Sequence, residues 1–179
     1  FSGLSGYINF GHVIYYGIGA YVVAVVASIV NSPQVNPFIY VVAGGAFASI
    51  CAIALGFPIL RLRGDYFAIS TLGINEAVKV IIINTRQLGE GRGITIYGSV
   101  PGYDIKGLYI FLLVALFTVI LTSHFILKAR LGYGLRAIKA DEDVAEAMGV
   151  NTTRYKILSY AIGAFFAGFA GGVLTLLYA

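Results

Sequence analysis

Charged residues are scarce in this chain, and where they gather is informative. Asp141, Glu142 and Asp143 stand in a row, followed by Val144, Ala145, Glu146 and Met148, with Gly149 closing the stretch. Asp141 is a good helix N-cap, because its short carboxylate can accept hydrogen bonds from the free N–H groups of a first turn. Glu142 and Asp143 would then complement the positive end of the helix dipole. Val144, Ala145 and Met148 supply a small apolar face, and Gly149 stands where a left-handed C′ residue belongs. The chemistry encoded here is recognition: a short helix, braced between two longer ones, offering an apolar knob to a partner's groove. An amphipathic connector resting on lipid is the alternative, although an acidic helix suits an anionic lipid surface poorly.

The sequence offers no bond-making chemistry to set beside this. It has no P-loop, no paired intramembrane acids and no Ser/His arrangement, so the chain is read as a non-enzyme. His12 and His124 lack an acidic or cysteine partner at ligand spacing, which argues against a metal site. Cys51 is the only cysteine, so neither an intrachain disulfide nor a cysteine-based cluster is possible.

The elements that must position the acidic stretch are membrane spans. Hydrophobic residues make up 59% of the chain and charged residues 11%, against roughly 25% charged in soluble domains. Too few charges remain to give every helix a solvated face. Apolar runs cover 13–30, 38–60, 66–84, 107–127 and 155–179, each close to the roughly 20 residues that cross a bilayer. Asn31-Ser32-Pro33 and Pro37 break the first two runs, and 85–106 reads as an irregular Gly-rich loop. The stretch 134–140 is expected to continue the fourth span as helix, and Asn151 or Thr152 to cap the fifth. Arg61, Arg63, Lys128, Arg130, Arg136, Lys139, Arg154 and Lys156 fall on one side, and Arg86, Arg92 and Lys106 on the other. The positive-inside rule therefore places 128–156 in the cytoplasm and 85–106 outside. The basic residues form no continuous stripe, so the net charge of +4 does not point to nucleic acid; lipid is the expected surrounding.

Three further features lie within or beside the spans. Glu76 sits about ten residues into its run, roughly 15 Å deep at the helical rise. A charge there is a functional candidate by default; pairing with Lys79 at i, i+3 in a packing role inside the bundle is the competing reading. Residues 2–12 mix glycine with Ser5 and Asn9, as broken helices that expose backbone dipoles to a substrate do; a plain turn before the helix is equally open. Ser5, Asn9 and Glu76 are thus the candidate pathway residues. In the last run Gly163, Ala167 and Gly171, and likewise Ala164, Gly168 and Gly172, recur every fourth residue, a stripe that lets helices approach within the bundle or across a subunit interface.

The stretch from Gly134 to Lys156 closely resembles the cytoplasmic loop of branched-chain amino-acid ABC permeases of the LivM type. Phe165-Phe-Ala-Gly-Phe-Ala-Gly-Gly172, Gly6-Tyr-Ile-Asn-Phe-Gly-His12, Tyr16-Gly-Ile-Gly-Ala-Tyr21 and Arg61-Leu-Arg-Gly-Asp-Tyr-Phe-Ala-Ile-Ser-Thr-Leu-Gly73 resemble the same family, in family order over nearly the whole chain. The resemblance implies an all-α polytopic permease domain over 1–179 in a prokaryotic cytoplasmic (inner) membrane. It implies a second homologous permease subunit, two cytoplasmic ABC ATPase subunits and an extracytoplasmic substrate-binding protein as partners. ATP and magnesium would be used by the ATPases, with no cofactor on this chain, and Asp141–Gly149 would be the coupling helix. Phe1 in place of Met, and an end inside an apolar run at Ala179, lead to the expectation of a fragment truncated at both ends. A secondary transporter or channel-like subunit for a small polar solute is the alternative function; it would need coupling-ion ligands, for which Glu76 stands alone.

Overall fold

A chain with 23 glycines that must cross lipid repeatedly can use them to bring helix backbones together. The computed structural model describes residues 2–7, 9–30, 36–62, 64–89, 91, 93–94 and 105–178. Among these residues the regular structure is entirely helical: α1 Ser2–Ser5, α2 His12–Val30, α3 Pro37–Ile59, α4 Asp65–Asn84, a 3₁₀ turn Arg86–Leu88, α5 Ile105–Lys128, α6 Arg130–Ala140, α7 Glu142–Ala147 and α8 Thr152–Leu177. Helices α2, α3, α4, α5 and α8 are long and apolar enough to cross a membrane, as the apolar runs predict. The break at Asn31-Ser32-Pro33 and most of the outer loop, 95–104, lie outside the described residues. Where α3 begins, Asn36 caps it by accepting the Phe38 N–H at 3.1 Å. Pro37 occupies the first helical position, where its missing N–H costs nothing.

The packed centre is α2, α3 and α8. Backbone meets backbone: a Cβ placed on Gly19 would sit 1.9 Å from the Gly168 carbonyl oxygen, and one on Gly171 1.9 Å from that of Tyr16. Gly168 abuts Ala48 of α3, and Gly172 wedges between Val23 and Val41. The row Ala164, Gly168 and Gly172, with Gly171, is thus buried inside this chain's own bundle. Gly163 and Ala167 are only partly buried, on the α8 flank that borders α5. Close approach also lets side chains reach across: Ser49 Oγ donates to the Ala161 carbonyl at 3.1 Å and Thr175 Oγ1 to that of Ala20 at 3.2 Å.

α5 joins this centre through Leu108 and through Phe111, which packs on Phe38 and stacks on Phe169. α4 joins it mainly at its start, where Phe67 and Thr71 are buried. Beyond those points both helices turn apolar side chains outward, among them Ile69, Leu72 and Ile81 on α4, and Val114, Phe117 and Ile120 on α5.

One expectation fails. The stretch 134–140 does not continue the fourth span, because α5 stops at Lys128 and Ala129 is extended (φ −80°, ψ 164°). α6 then folds back so closely that a Cβ on Gly132 would lie 2.2 Å from the Ile126 carbonyl oxygen. The corner thus depends on a glycine three residues past the break. His124 is exposed on α5.

The glycine contacts yield a direct comparison. Alanine in a helix interior is favoured over glycine by ~1 kcal/mol, while forcing atoms into a filled site costs ~1–3 kcal/mol or more. Gly171→Ala meets backbone, which cannot swing aside, so the clash should win and the melting temperature of the purified protein should fall. Gly17→Ala, on α2 with nothing within 4 Å of the new Cβ, should leave it unchanged or raise it. Equal melting temperatures for the two variants would contradict this packing.

Candidate functional site

The acidic stretch builds the short helix α7 with both ends satisfied locally. The Asp141 carboxylate accepts the N–H groups of Asp143 and Val144 at 2.9 and 3.0 Å. At the other end the Gly149 N–H donates to Glu146 O and the Val150 N–H to Ala145 O, both at 3.0 Å. This is the Schellman pairing, and it requires the left-handed backbone that Gly149 adopts at φ +85°. Asn151 then caps α8 by accepting the Arg154 N–H at 3.1 Å.

The apolar knob divides in two. Val144 and Met148, one turn apart, are exposed at 58% and 80%. Ala145 is turned about 100° from Val144 by the helical repeat and is buried against Leu135 and Ile138 of α6. Ala145 therefore belongs to the chain's own packing, and the face open to a partner is Val144 and Met148. Asp143 and Glu146 are exposed, while Glu142 is turned inward.

Glu142 meets two residues that sequence reasoning did not single out. Lys156 Nζ on α8 donates to Glu142 Oε1 at 2.5 Å and to the Tyr7 hydroxyl at 3.0 Å, and the Tyr7 hydroxyl donates to Glu142 Oε2. The Lys156 side chain is 1% exposed and that of Glu142 13%. An ion pair this deep holds because each charge compensates the other; removing one partner of such a pair costs about 3–5 kcal/mol. Tyr7 lies 135 residues from Glu142, so no local spacing could reveal the contact. Lys156 offered only a weak signal, a lysine just inside an apolar run.

Through Tyr7 the N-terminal segment is locked to the loop. Lys139 Nζ on α6 donates to the Gly3 carbonyl at 3.0 Å, Ser5 is buried, and the Phe10 N–H donates to Thr71 Oγ1 on α4 at 3.3 Å. Tyr7 packs edge-on against Phe67, with ring centroids 5.3 Å apart, and Phe67 packs in turn against Tyr160. Tyr160 shares a hydroxyl–hydroxyl bond of 3.1 Å with Tyr15. An unbroken line of contacts therefore runs from α7 into the three-helix centre.

The three pathway candidates are separated. Ser5 is buried at this joint. Asn9 Oδ1 accepts the Gly11 N–H at 2.7 Å, while its Nδ2 is buried with no hydrogen-bond partner among the described residues. Glu76 does pair with Lys79, at 2.9 Å, but the two side chains are 64% and 61% exposed on the outer face of α4. Among the described residues neither side chain packs into the centre, because α4 touches it mainly through its first turns. A separate groove between α5 and α8 is lined by His12, Thr122, Ile126, Ser159, Gly163 and Ala167.

Comparison with known proteins agrees with this architecture. The family model described as branched-chain amino acid transport system, permease component, matches residues 1–179. The LivM permease protein of the high-affinity branched-chain amino acid transport system of Salmonella typhimurium is 34% identical, over 94% of this chain and 46% of its own. LivH from the same organism is 29% identical, over 98% of this chain and 63% of its own. BraD of Pseudomonas aeruginosa is 26% identical over the same shares. The chain spans about half the length of the LivM protein it matches, and no solved structure matches it significantly. A multi-pass helical membrane protein over its whole described length, the chain belongs to the branched-chain amino acid transport permease family.

Proposed function

We propose that this chain forms part of the membrane-spanning permease of an ATP-driven importer in a prokaryotic cytoplasmic membrane, carrying branched-chain or related amino acids. One observation carries the reading: a helix of six residues, capped at both ends and held to the bundle by its inner face, presents Val144 and Met148 to the outside. A lipid-resting connector would turn its apolar side chains toward the bilayer with basic residues flanking them. α7 instead surrounds them with Asp141, Asp143 and Glu146, a pattern suited to a protein groove. The partner on that face is a cytoplasmic ABC ATPase subunit, one of two, which supplies the ATP and magnesium chemistry while this chain moves substrate without covalent steps.

The charge asymmetry between loops supports the orientation that puts α7 in the cytoplasm, with the loop after α4 facing an extracytoplasmic binding protein. The outward Glu76–Lys79 pair supports a neighbour on α4 other than lipid, because an ion pair facing hydrocarbon is costly. A second permease subunit, or the aqueous pathway beside it, fits that position.

The test uses the full-length permease with its cognate ATPases. Val144→Glu/Met148→Glu alters only exposed side chains, so the bundle should still assemble. ATPase co-purification and uptake should fall at least about tenfold, the scale of losing ~1.4 kcal/mol or more at an interface centre. Lys106→Ala, at the far end of α5, should change neither. Ala145→Arg should instead destabilise the loop itself, seen as faster proteolysis, because it drives a charge into the Leu135–Ile138 cluster. Full ATPase binding and uptake in the Val144/Met148 variant would overturn the docking assignment.

A further inference from the structure

α7 is short, and a push delivered to it reaches the spans only if its attachments are stiff. Its covalent neighbours are a corner at Asp141 and the turn 148–151. Its lateral attachment is the Glu142–Lys156–Tyr7 cluster, which joins α7 to the second turn of α8 and to a segment 135 residues away. Opening that cluster would separate a lysine whose side chain is 1% exposed from the Glu142 carboxylate 2.5 Å away, and taking a partner from a charge buried this deeply is costly. The segment it captures is the one entering α2, tied also to α6 through Lys139 and Gly3 and to α4 through Phe10 and Thr71.

We propose that Tyr7, Glu142 and Lys156 form a joint that stays closed through the transport cycle, so that residues 2–11 move as one body with α7 and the start of α8. A displacement imposed on α7 is thereby delivered to the first span through Tyr7, Phe67, Tyr160 and Tyr15 rather than absorbed in the loop. Lys156 and Tyr7 are positioning residues in this scheme: they touch neither substrate nor ATPase, and they set how much of the ATPase stroke becomes substrate movement. The proposal rests on the reading of α7 as the ATPase-docking helix.

The test measures three quantities on the full-length permease reconstituted with its ATPases: ATPase co-purification, ATP hydrolysis, and amino-acid uptake per ATP hydrolysed. Tyr7→Phe keeps the ring against Phe67 and removes only the hydroxyl; Lys156→Met removes the buried charge. Both leave Val144 and Met148 in place, so ATPase co-purification should persist. Uptake per ATP should fall about tenfold in Lys156→Met and roughly fivefold in Tyr7→Phe, within the range of ordinary coupling energies. In a Cys51→Ala background, Tyr7→Cys/Lys156→Cys should likewise be uncoupled, and bridging the two thiols with a short bifunctional reagent should restore coupling. Wild-type uptake per ATP in both single variants, or no restoration by the bridge, would overturn the joint. Loss of ATPase binding in Tyr7→Phe would also overturn it, since the cluster would then serve docking. If Lys156→Met does not assemble, Tyr7→Phe decides alone. The docking reading fails separately, through intact ATPase binding in the Val144/Met148 variant, whatever the uptake ratio shows.

Discussion

Backbone contact between α2 and α8 is the constraint from which the rest of the molecule follows. Gly19 lies against the Gly168 carbonyl and Gly171 against that of Tyr16, with no room for a Cβ at either place. In lipid, helices are not driven together by exclusion of water, so association depends on dispersion at close range and on polar groups that reach a neighbouring backbone. The small residues permit the first; Ser49 and Thr175 supply the second. α3 closes the group through Gly44, Gly45 and Ala48, and α4 and α5 are attached around it at one end each.

That placement of α8 determines what its first turns can do. Lys156 and Tyr160 lie one turn apart, so the helix brings a buried charge and a buried ring to successive levels of the same interior. The charge is stable there because α7 and the N-terminal segment deliver Glu142 and Tyr7 to it. The ring meets Phe67 and Tyr15. A loop held only by its chain ends could shift without consequence for the spans; this one is continuous with the core through side chains. That continuity is what the proposed drive from an ATPase outside the membrane would require.

Local physics was readable in the sequence, and long-range geometry was not. The spans follow from apolar length, and the ends of α7 and α8 from Asp141, Gly149 and Asn151, because a cap acts within a few residues of itself. The stripe in α8 was visible as a four-residue repeat. Which way a residue faces was harder: Val144, Ala145 and Met148 read as one knob, yet the helical repeat turns Ala145 inward. Glu76 read as an interior residue because charge in a span usually faces protein, but α4 meets its neighbours mainly near Phe67 and Thr71, leaving Glu76 on the open side. The corner at Ala129 has no local sequence signal, because its enabling residue, Gly132, sits inside the following helix, where a glycine does not by itself mark a break. The Tyr7–Glu142–Lys156 cluster has none for a simpler reason, since its members meet only once the whole bundle has formed.

The most direct measurement is a structure of the full-length permease bound to its cognate ATPase subunits, both with and without nucleotide. Val144 and Met148 should be buried against the ATPase in each state, with the Lys156–Glu142 contact closed and residues 2–11 displaced together with α7. A structure with α7 turned to lipid or solvent, or with the Lys156–Glu142 contact open in one state while residues 2–11 stay fixed, would contradict this arrangement.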